Sequence, residues 1–283
     1  MSLLTPERVP VKVYKWDDEG APVLDKTPAG VGVVLKACLS TGYGSKQPAG
    51  WELTHEDAES NTKIFKVNSS ITNSLLLRVY SYTKSETHVR LVTDVVSATS
   101  VTTVLKCDDS FKVSADDRTG EWMVIASDRA FWLFIGAVTG TRPAEKSGAF
   151  LFAGIVPGTQ SDGFIIKHSG GTTRGANSIT STDSKYATRA ALYNINTTTS
   201  ATAWLDYMYD GMSDESPYAI ASPLYFNGAG DIYQLPIYSP SRKDLSNFDT
   251  VFSDSQNMIN FCTSLYTYDY GNNAYVPTDY WVY

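Results

Sequence analysis

The feature that most constrains the fold of this chain is a succession of short strand-like segments between Lys63 and about Ile166. The segments are rich in Val, Thr, Ile and aromatic residues, which favour extended backbone. Asn, Asp, Gly and Ser interrupt them, as they do at turns. The pattern predicts strands at Lys63–Val67, Leu75–Thr83, His88–Val96, Val101–Cys107, Glu121–Ser127, Ala130–Ala137 and Ala149–Val156. A chain of this kind is expected to form antiparallel sheets.

The most apolar part of this region, residues 121–137, predicts a tight hairpin that turns at Ser127-Asp128-Arg129. Alternation along the second arm separates two sets of apolar side chains. One face carries Phe131, Leu133 and Ile135, and the other carries Trp132 and Phe134. Because both faces are apolar, this arm is expected to be a central strand or to be covered by a further layer.

One short helix is predicted near residues 28–41, after an initial strand at residues 9–16. Thr27 is a favourable N-cap residue, and Pro28 suits the first helical position. Gly42 suits a left-handed residue that ends the helix. Apolar residues with helical spacing form one face: Val31, Val34, Leu35 and Cys38. The predicted fold is therefore all-β and sandwich-like, with antiparallel sheets and one N-terminal helix.

A polar Gly/Ser/Thr stretch at residues 168–184 predicts a linker or long loop. It divides the chain into an N-terminal β domain, residues 1–167, and a Tyr-rich C-terminal portion, residues 185–283. Strand signals occur there at Tyr233–Tyr238 and Asn260–Tyr268. The segment Tyr266–Tyr283 holds six of the 18 tyrosines and Trp281, so it is expected either to dock on its own domain or to contact another subunit.

Composition argues against several classes of function. The net charge is −7 and no basic run is present, which argues against nucleic acid as a partner. The three cysteines are far apart and lack the spacing of a zinc site. No apolar run is long enough to insert into a membrane, and the start has no signal-peptide pattern. No cofactor motif is present, so no cofactor or metal is predicted.

The sequence offers no catalytic constellation, and the chain is predicted not to be an enzyme. The histidines have neither a nucleophile motif nor a suitable context; they are His55, His88 and His168. Carboxylate pairs leave a glycosidase as a weaker alternative. These pairs are Asp108-Asp109, Asp116-Asp117 and Asp206/Asp210.

The opening module, residues 9–51, contains an ordered set of short motifs: a VPVKVY-like strand, a GAP turn, a short helix, a Gly-Tyr-Gly-Ser-Lys turn and a Gly-Trp pair. The residues concerned are Val11–Tyr14, Gly20–Pro22, Leu35–Leu39, Gly42–Lys46 and Ala49–Trp51. In this order the module resembles virion structural proteins of tailed bacteriophages. The resemblance is looser over the hairpin and Phe150-Leu151-Phe152, and it is weak beyond Ile166.

The resemblance implies a structural component of a phage particle, located in the virion and made in the cytoplasm of a bacterial host. A tail or baseplate position is expected first, with capsid decoration as an alternative. The implied partners are other virion proteins and further copies of the chain, joined by aromatic and strand-edge contacts. The contact residues predicted within the module and the chain end are Val11, Val13, Tyr14, Tyr43, Trp51, Tyr268, Tyr270, Tyr280 and Trp281.

A second alternative is a receptor-binding or carbohydrate-binding module at the particle surface. Sugar sites use exposed aromatic rings beside Asp and Asn, and residues 268–273 combine these residue types. A host glycan is the ligand that this alternative implies. Tyr268 and Tyr270 would then contact the sugar.

Overall fold

The computed structural model describes part of the chain. The described residues are 8–25, 27–67, 75–83, 86–106, 111–112, 120–135, 138–139, 142–143, 149–156, 163–168, 189–194, 199–204, 223–225, 232–234, 266–269, 274–277 and 280–282. In the described part of the chain, no helix has the length and apolar character needed to span a bilayer.

Antiparallel strands dominate the structure, so the predicted all-β fold class is confirmed. One α-helix, α1, covers Pro28–Lys36 and continues as a π-helical segment, Ala37–Thr41. The strands are β1 Arg8–Pro10, β2 Lys12–Lys15, β3 Glu52–Asp57, β4 Thr62–Lys66, β5 Leu76–Thr83, β6 Glu86–Thr93, β7 Thr102–Lys106, β8 Phe111–Lys112, β9 Trp122–Ala126, β10 Ala130–Ile135, β11 Val138–Thr139, β12 Arg142–Pro143, β13 Ala149–Val156, β14 Gly163–His168, β15 Arg189–Asn194, β16 Thr199–Trp204, β17 Pro223–Tyr225, β18 Ile232–Gln234, β19 Tyr266–Asp269, β20 Ala274–Pro277 and β21 Tyr280–Val282.

Two large sheets contain most of these strands. The first sheet has seven strands in the order β16-β15-β14-β13-β10-β9-β2. The second sheet has the order β3-β4-β5-β6-β7, and β8 also pairs with β6. The remaining strands form two-stranded pairs: β1 with β21, β11 with β12, β17 with β18 and β19 with β20.

The predicted hairpin is confirmed as β9 and β10. Its turn is closed by the Ser127 amide, which donates to the Ala130 carbonyl at 2.9 Å. β10 lies between β9 and β13, and both of its faces are buried. Trp132 and Phe134 stack with ring centroids 5.7 Å apart on one face. The core face carries Phe131, Leu133 and Ile135. A strand with two apolar faces is thus central, as alternation predicts.

The helix follows its predicted face. Val31, Val34, Leu35 and Cys38 are all fully buried. Gly42 ends the helical region with a φ of 75°, and Pro28 occupies the first turn. Thr27 is the N-cap residue, but its hydroxyl makes no cap hydrogen bond and donates to Asp25 Oδ1 at 2.5 Å.

A hydrophobic core of described residues joins the helix and both sheets. α1 packs on the face of the second sheet formed by β4, β5 and β6, and the π-helical segment contacts β9 of the first sheet. The core contains residues from all three layers, including Leu35 of α1, Leu77 of β5 and Leu133 of β10. The helix therefore links the two sheets. Gly30 and Gly32 have low helix propensity, so packing against the sheets stabilises the helix at these positions.

The ends of the chain pair within the molecule. β1 pairs with β21, with Val9 opposite Trp281 and Pro10 opposite Tyr280. β15 and β16, two strands of the predicted C-terminal portion, extend the first sheet beyond β14. The predicted boundary at 168–184 lies outside the described residues apart from His168. The division of the chain into an N-terminal β domain and a C-terminal portion stays a prediction.

The backbone of β13 approaches β10 very closely at Gly154, which lies opposite Ala130 and has a φ of 155°. A Cβ atom at this position would collide with Ala130 Cα and Cβ and would lie 2.5 Å from the Arg129 carbonyl oxygen. The two central strands of the first sheet therefore require a glycine here.

We expect Gly154→Ala to lower the free energy of unfolding by about 2–3 kcal/mol, because the strands must separate to admit the methyl group. Gly120→Ala is the matched control, since a Cβ there meets no atom within 4 Å. Its effect should stay within about 0.5 kcal/mol. Urea denaturation measures both changes, and equal effects of the two substitutions would contradict the close approach.

Candidate functional site

The opening module is built around β2, the end strand of the first sheet. β2 pairs with β9 on one side, with Tyr14 opposite Val124. The Trp16 amide donates to the Trp122 carbonyl at 3.0 Å in the same ladder. Because hydrogen-bonding direction alternates along an antiparallel strand, the backbone groups of Val13 and Lys15 point away from β9, towards the free edge.

Side chains from the two turns of the module occupy this free edge. The Val13 carbonyl accepts a hydrogen bond from Lys46 Nζ at 3.0 Å. The Lys15 amide donates to Asp18 Oδ2 at 2.7 Å. The edge of β2 is therefore closed by side chains of its own module, which blocks pairing with a further strand.

Asp18 joins the two turns of the module. Its carboxylate accepts a hydrogen bond from the Tyr43 hydroxyl at 2.8 Å and forms an ion pair with Lys46 Nζ at 3.3 Å. Together with the Lys15 amide these contacts satisfy both carboxylate oxygens. We call this set of residues, Lys15, Asp18, Tyr43 and Lys46, the edge clamp.

Aromatic packing supports the edge clamp from inside. The Tyr43 ring lies 6.0 Å from Tyr14 and 6.2 Å from Trp122, measured between ring centroids. The Tyr14 hydroxyl donates to the Gln47 carbonyl at 2.8 Å, and Trp122 Nε1 donates to the Pro22 carbonyl at 3.1 Å. Each buried ring thus also fixes a turn by a hydrogen bond, which buried Tyr and Trp need.

The end of the module is anchored by Trp51. Its indole Nε1 donates to the Ser127 carbonyl at 2.9 Å, in the turn between β9 and β10. Its ring meets Phe131 edge-to-face at 5.5 Å. Trp51 therefore holds the module to the central hairpin.

The Gly-Tyr-Gly turn needs glycine for close approach. Gly44 has a φ of 51°. A Cβ atom there would collide with the carbonyl oxygen of Glu19, which lies in the acidic turn formed by residues 17–20. The two turns are in direct backbone contact at this point, and this contact places Tyr43 over Asp18.

Burial controls the electrostatics of the module. Burial, together with the hydrogen bond to Asp18, raises the pKa of Tyr43 above its ordinary value. Burial and the nearby Cys38 raise the pKa of Tyr14. Burial and the Asp18 charge also raise the pKa of the Cys38 thiol. A thiol that stays protonated is a poor nucleophile, so Cys38 serves as a packing residue.

The structure gives the predicted contact residues of the module different roles. Tyr14 is fully buried and Trp51 is 3% exposed, so both belong to the core and not to a surface contact. Tyr43, Val11 and Val13 are half-buried. Large aromatic residues are common both in protein cores and at interfaces. The sequence pattern around Tyr14 and Trp51 does not distinguish these two locations.

Exposed apolar side chains of the module were missed as individual contact residues. Trp16 is 42% exposed and Val23 is 80% exposed. Trp16 is the one exposed aromatic residue among the described side chains. The alternation of residues in β2 does not indicate that Trp16 is exposed, because Trp16 lies one residue beyond the end of this strand, just before the acidic turn.

The C-terminal contact residues are described only in part. Tyr280 and Trp281 lie in β21, paired with β1, so this end docks on its own chain. Tyr268 lies in β19, opposite Tyr275. Tyr270 lies outside the described residues, and the contact role of these residues stays a prediction.

The structure describes the three histidine candidates but not the aspartate pairs. His55, His88 and His168 lie in three different strands, β3, β6 and β14. The described residues contain no group of three metal-binding side chains. The aspartate pairs lie outside the described residues; they are Asp108-Asp109, Asp116-Asp117 and Asp206/Asp210.

The raised pKa of Tyr43 and Tyr14 predicts a stability that is full below pH about 10, the ordinary tyrosine pKa, and falls at higher pH as the unfolded state loses protons. Tyr43→Phe should cost about 1–2 kcal/mol at pH 7, because Asp18 loses a hydrogen-bond donor, and should make the alkaline fall less steep. Urea denaturation between pH 7 and 11 measures both effects. An unchanged alkaline slope in this variant would contradict the assigned role of the Tyr43 hydroxyl.

Comparisons of the chain with protein-family models, with curated proteins and with solved structures gave no match.

Proposed function

We propose that this protein is a structural component of a bacteriophage particle that joins other virion proteins through apolar side chains of its opening module. The observation that carries the proposal is the exposure of two apolar side chains, Trp16 and Val23, on backbone that is tied to the first sheet; Val33 of α1 is a third exposed apolar residue of the module. The resemblance of residues 9–51 to virion structural proteins supports the same role.

Trp16 and Val23 are held beside the same buried residue. The Trp16 amide donates to the Trp122 carbonyl at 3.0 Å, and Trp122 Nε1 donates to the carbonyl of Pro22, the neighbour of Val23, at 3.1 Å. Both exposed side chains therefore project from backbone that the first sheet fixes. A tryptophan on fixed backbone is typical of interface hot spots, since little entropy is lost on binding. We call the exposed part of the module that carries these two side chains the Trp16–Val23 surface.

The geometry favours side-chain contacts over strand pairing at this end of the molecule. The edge clamp occupies the free edge of β2. The end strand of the second sheet, β3, carries acidic residues and a bulge between Leu53 and His55, which are features of a protected edge. β16, the opposite end strand of the first sheet among the described strands, remains the candidate for an edge contact.

The expected setting is a ring or layer of the tail or baseplate, formed by several copies of the chain together with neighbouring virion proteins. A capsid decoration protein and a carbohydrate-binding module at the particle surface are the alternatives. Immunogold labelling of purified particles separates them: label at one axial position of the tail supports the proposal, and label over the capsid supports decoration. Particles without label would contradict a virion role.

Val23→Asp should weaken assembly at least about tenfold in apparent affinity, because the contact would bury an unpaired charge. Val96→Asp is the matched control: Val96 is 82% exposed and Val23 is 80% exposed, but Val96 lies in the connection between β6 and β7. Light scattering after gel filtration measures self-association, and incorporation into particles measures contacts with other proteins. Equal behaviour of the two variants in both assays would remove the Trp16–Val23 surface from the proposal.

A further inference from the structure

The face of the second sheet that points away from α1, its outer face, carries two neighbouring arginines. Arg78 of β5 lies directly opposite Arg90 of β6. The residues adjacent to the two arginines point into the core; they are Leu77, Val79, Val89 and Leu91. Alternation therefore directs Arg78 and Arg90 to the opposite face. Like charges directly opposite each other destabilise a sheet.

Tyr80 holds the two guanidinium groups in place. The Arg78 guanidinium carbon lies 4.2 Å from the centroid of the Tyr80 ring, and that of Arg90 lies 5.4 Å away. The Tyr80 hydroxyl is within hydrogen-bond distance of His88 Nδ1, at 3.3 Å, and the two rings meet edge-to-face. Stacking on an aromatic ring orders an arginine fork while the N–H groups at its edge remain available to an acceptor.

The arginines lack a counter-charge within the described residues. The ion pairs found there involve other cations, namely Lys15, Lys36, Lys46 and Lys63. Nε of Arg78 and Nε of Arg90 are both buried, and neither has a hydrogen-bond acceptor among the described residues. Burial and the nearby charge of Arg90 lower the pKa of Arg78. Unpaired buried donors cost free energy, and an acceptor from a ligand would remove that cost.

We infer that Arg78, Arg90 and Tyr80 form a binding site for a carboxylate in an acidic segment of a partner protein. The two forks supply the bidentate N–H geometry that a carboxylate accepts. A nucleic acid backbone is disfavoured, because it needs an extended basic surface and the chain has a net charge of −7. The site lies on the second sheet, and it does not depend on the Trp16–Val23 surface or on the proposed virion role.

The test is the binding of a fluorescent octaglutamate peptide to the full chain at low salt, followed by anisotropy. Arg78→Gln and Arg90→Gln should each weaken binding about tenfold or more, because each removes one charge-assisted fork. Arg78→Lys, which keeps the charge and is the milder change for folding, should also weaken it several-fold, because an ammonium cannot stack or bind bidentately. Thermal unfolding of each variant checks that the fold is retained.

Lys66→Gln is the matched control. Lys66 is partly exposed on β4, where it pairs with Leu76, and removing its charge should change the affinity less than about twofold. Three results would overturn the inference: no peptide binding by the unaltered chain, an equal loss in Lys66→Gln, or full binding in Arg78→Lys and Arg90→Gln. Tighter binding of inorganic phosphate or of a single-stranded oligonucleotide than of the peptide would also overturn the assignment to an acidic protein segment.

Discussion

The hydrogen bonds of Asp18 to the Lys15 amide and the Tyr43 hydroxyl are the contacts on which the opening module depends. An end strand leaves half of its backbone groups without partners, and here a carboxylate, a hydroxyl and the Lys46 ammonium supply them. The same contacts bring the two turns together, bury Tyr14 and close the space around Cys38. β2, α1 and the two turns thus form one unit. The hydrogen bond from Trp51 to the Ser127 carbonyl attaches this unit to the central hairpin of the first sheet.

This closure decides which surfaces remain for partners. With the edge of β2 occupied, the module offers side chains rather than backbone, and Trp16 and Val23 are its exposed apolar side chains near Trp122. The outer face of the second sheet offers a different chemistry through Arg78 and Arg90. One surface is apolar and one is cationic, so the two proposals can be tested separately and fail separately.

Local patterns predicted the parts of the fold that depend on neighbours in sequence. The helical face from Val31 to Cys38 and the hairpin at Ser127 follow from periodicity and turn chemistry. The edge clamp could not be predicted, because Asp18 reads as a turn residue and its partner Tyr43 is 25 residues away. β3 was missed because this bulged edge strand, with the sequence ELTHED, is mostly polar and lacks an apolar pattern. The arginine pair depends on strand register, which sequence alone does not fix.

Hydrogen exchange at the Lys15 amide tests the closure of β2 most directly, because this N–H points away from β9 and its acceptor is Asp18. We expect the Lys15 amide to be protected to a degree similar to the Trp16 amide, which bonds to Trp122 within the sheet. Asp18→Ala should remove the protection of Lys15 and leave that of Trp16. Rapid exchange at Lys15 in the unaltered protein, with Trp16 protected, would show that the edge of β2 is open and would contradict the account.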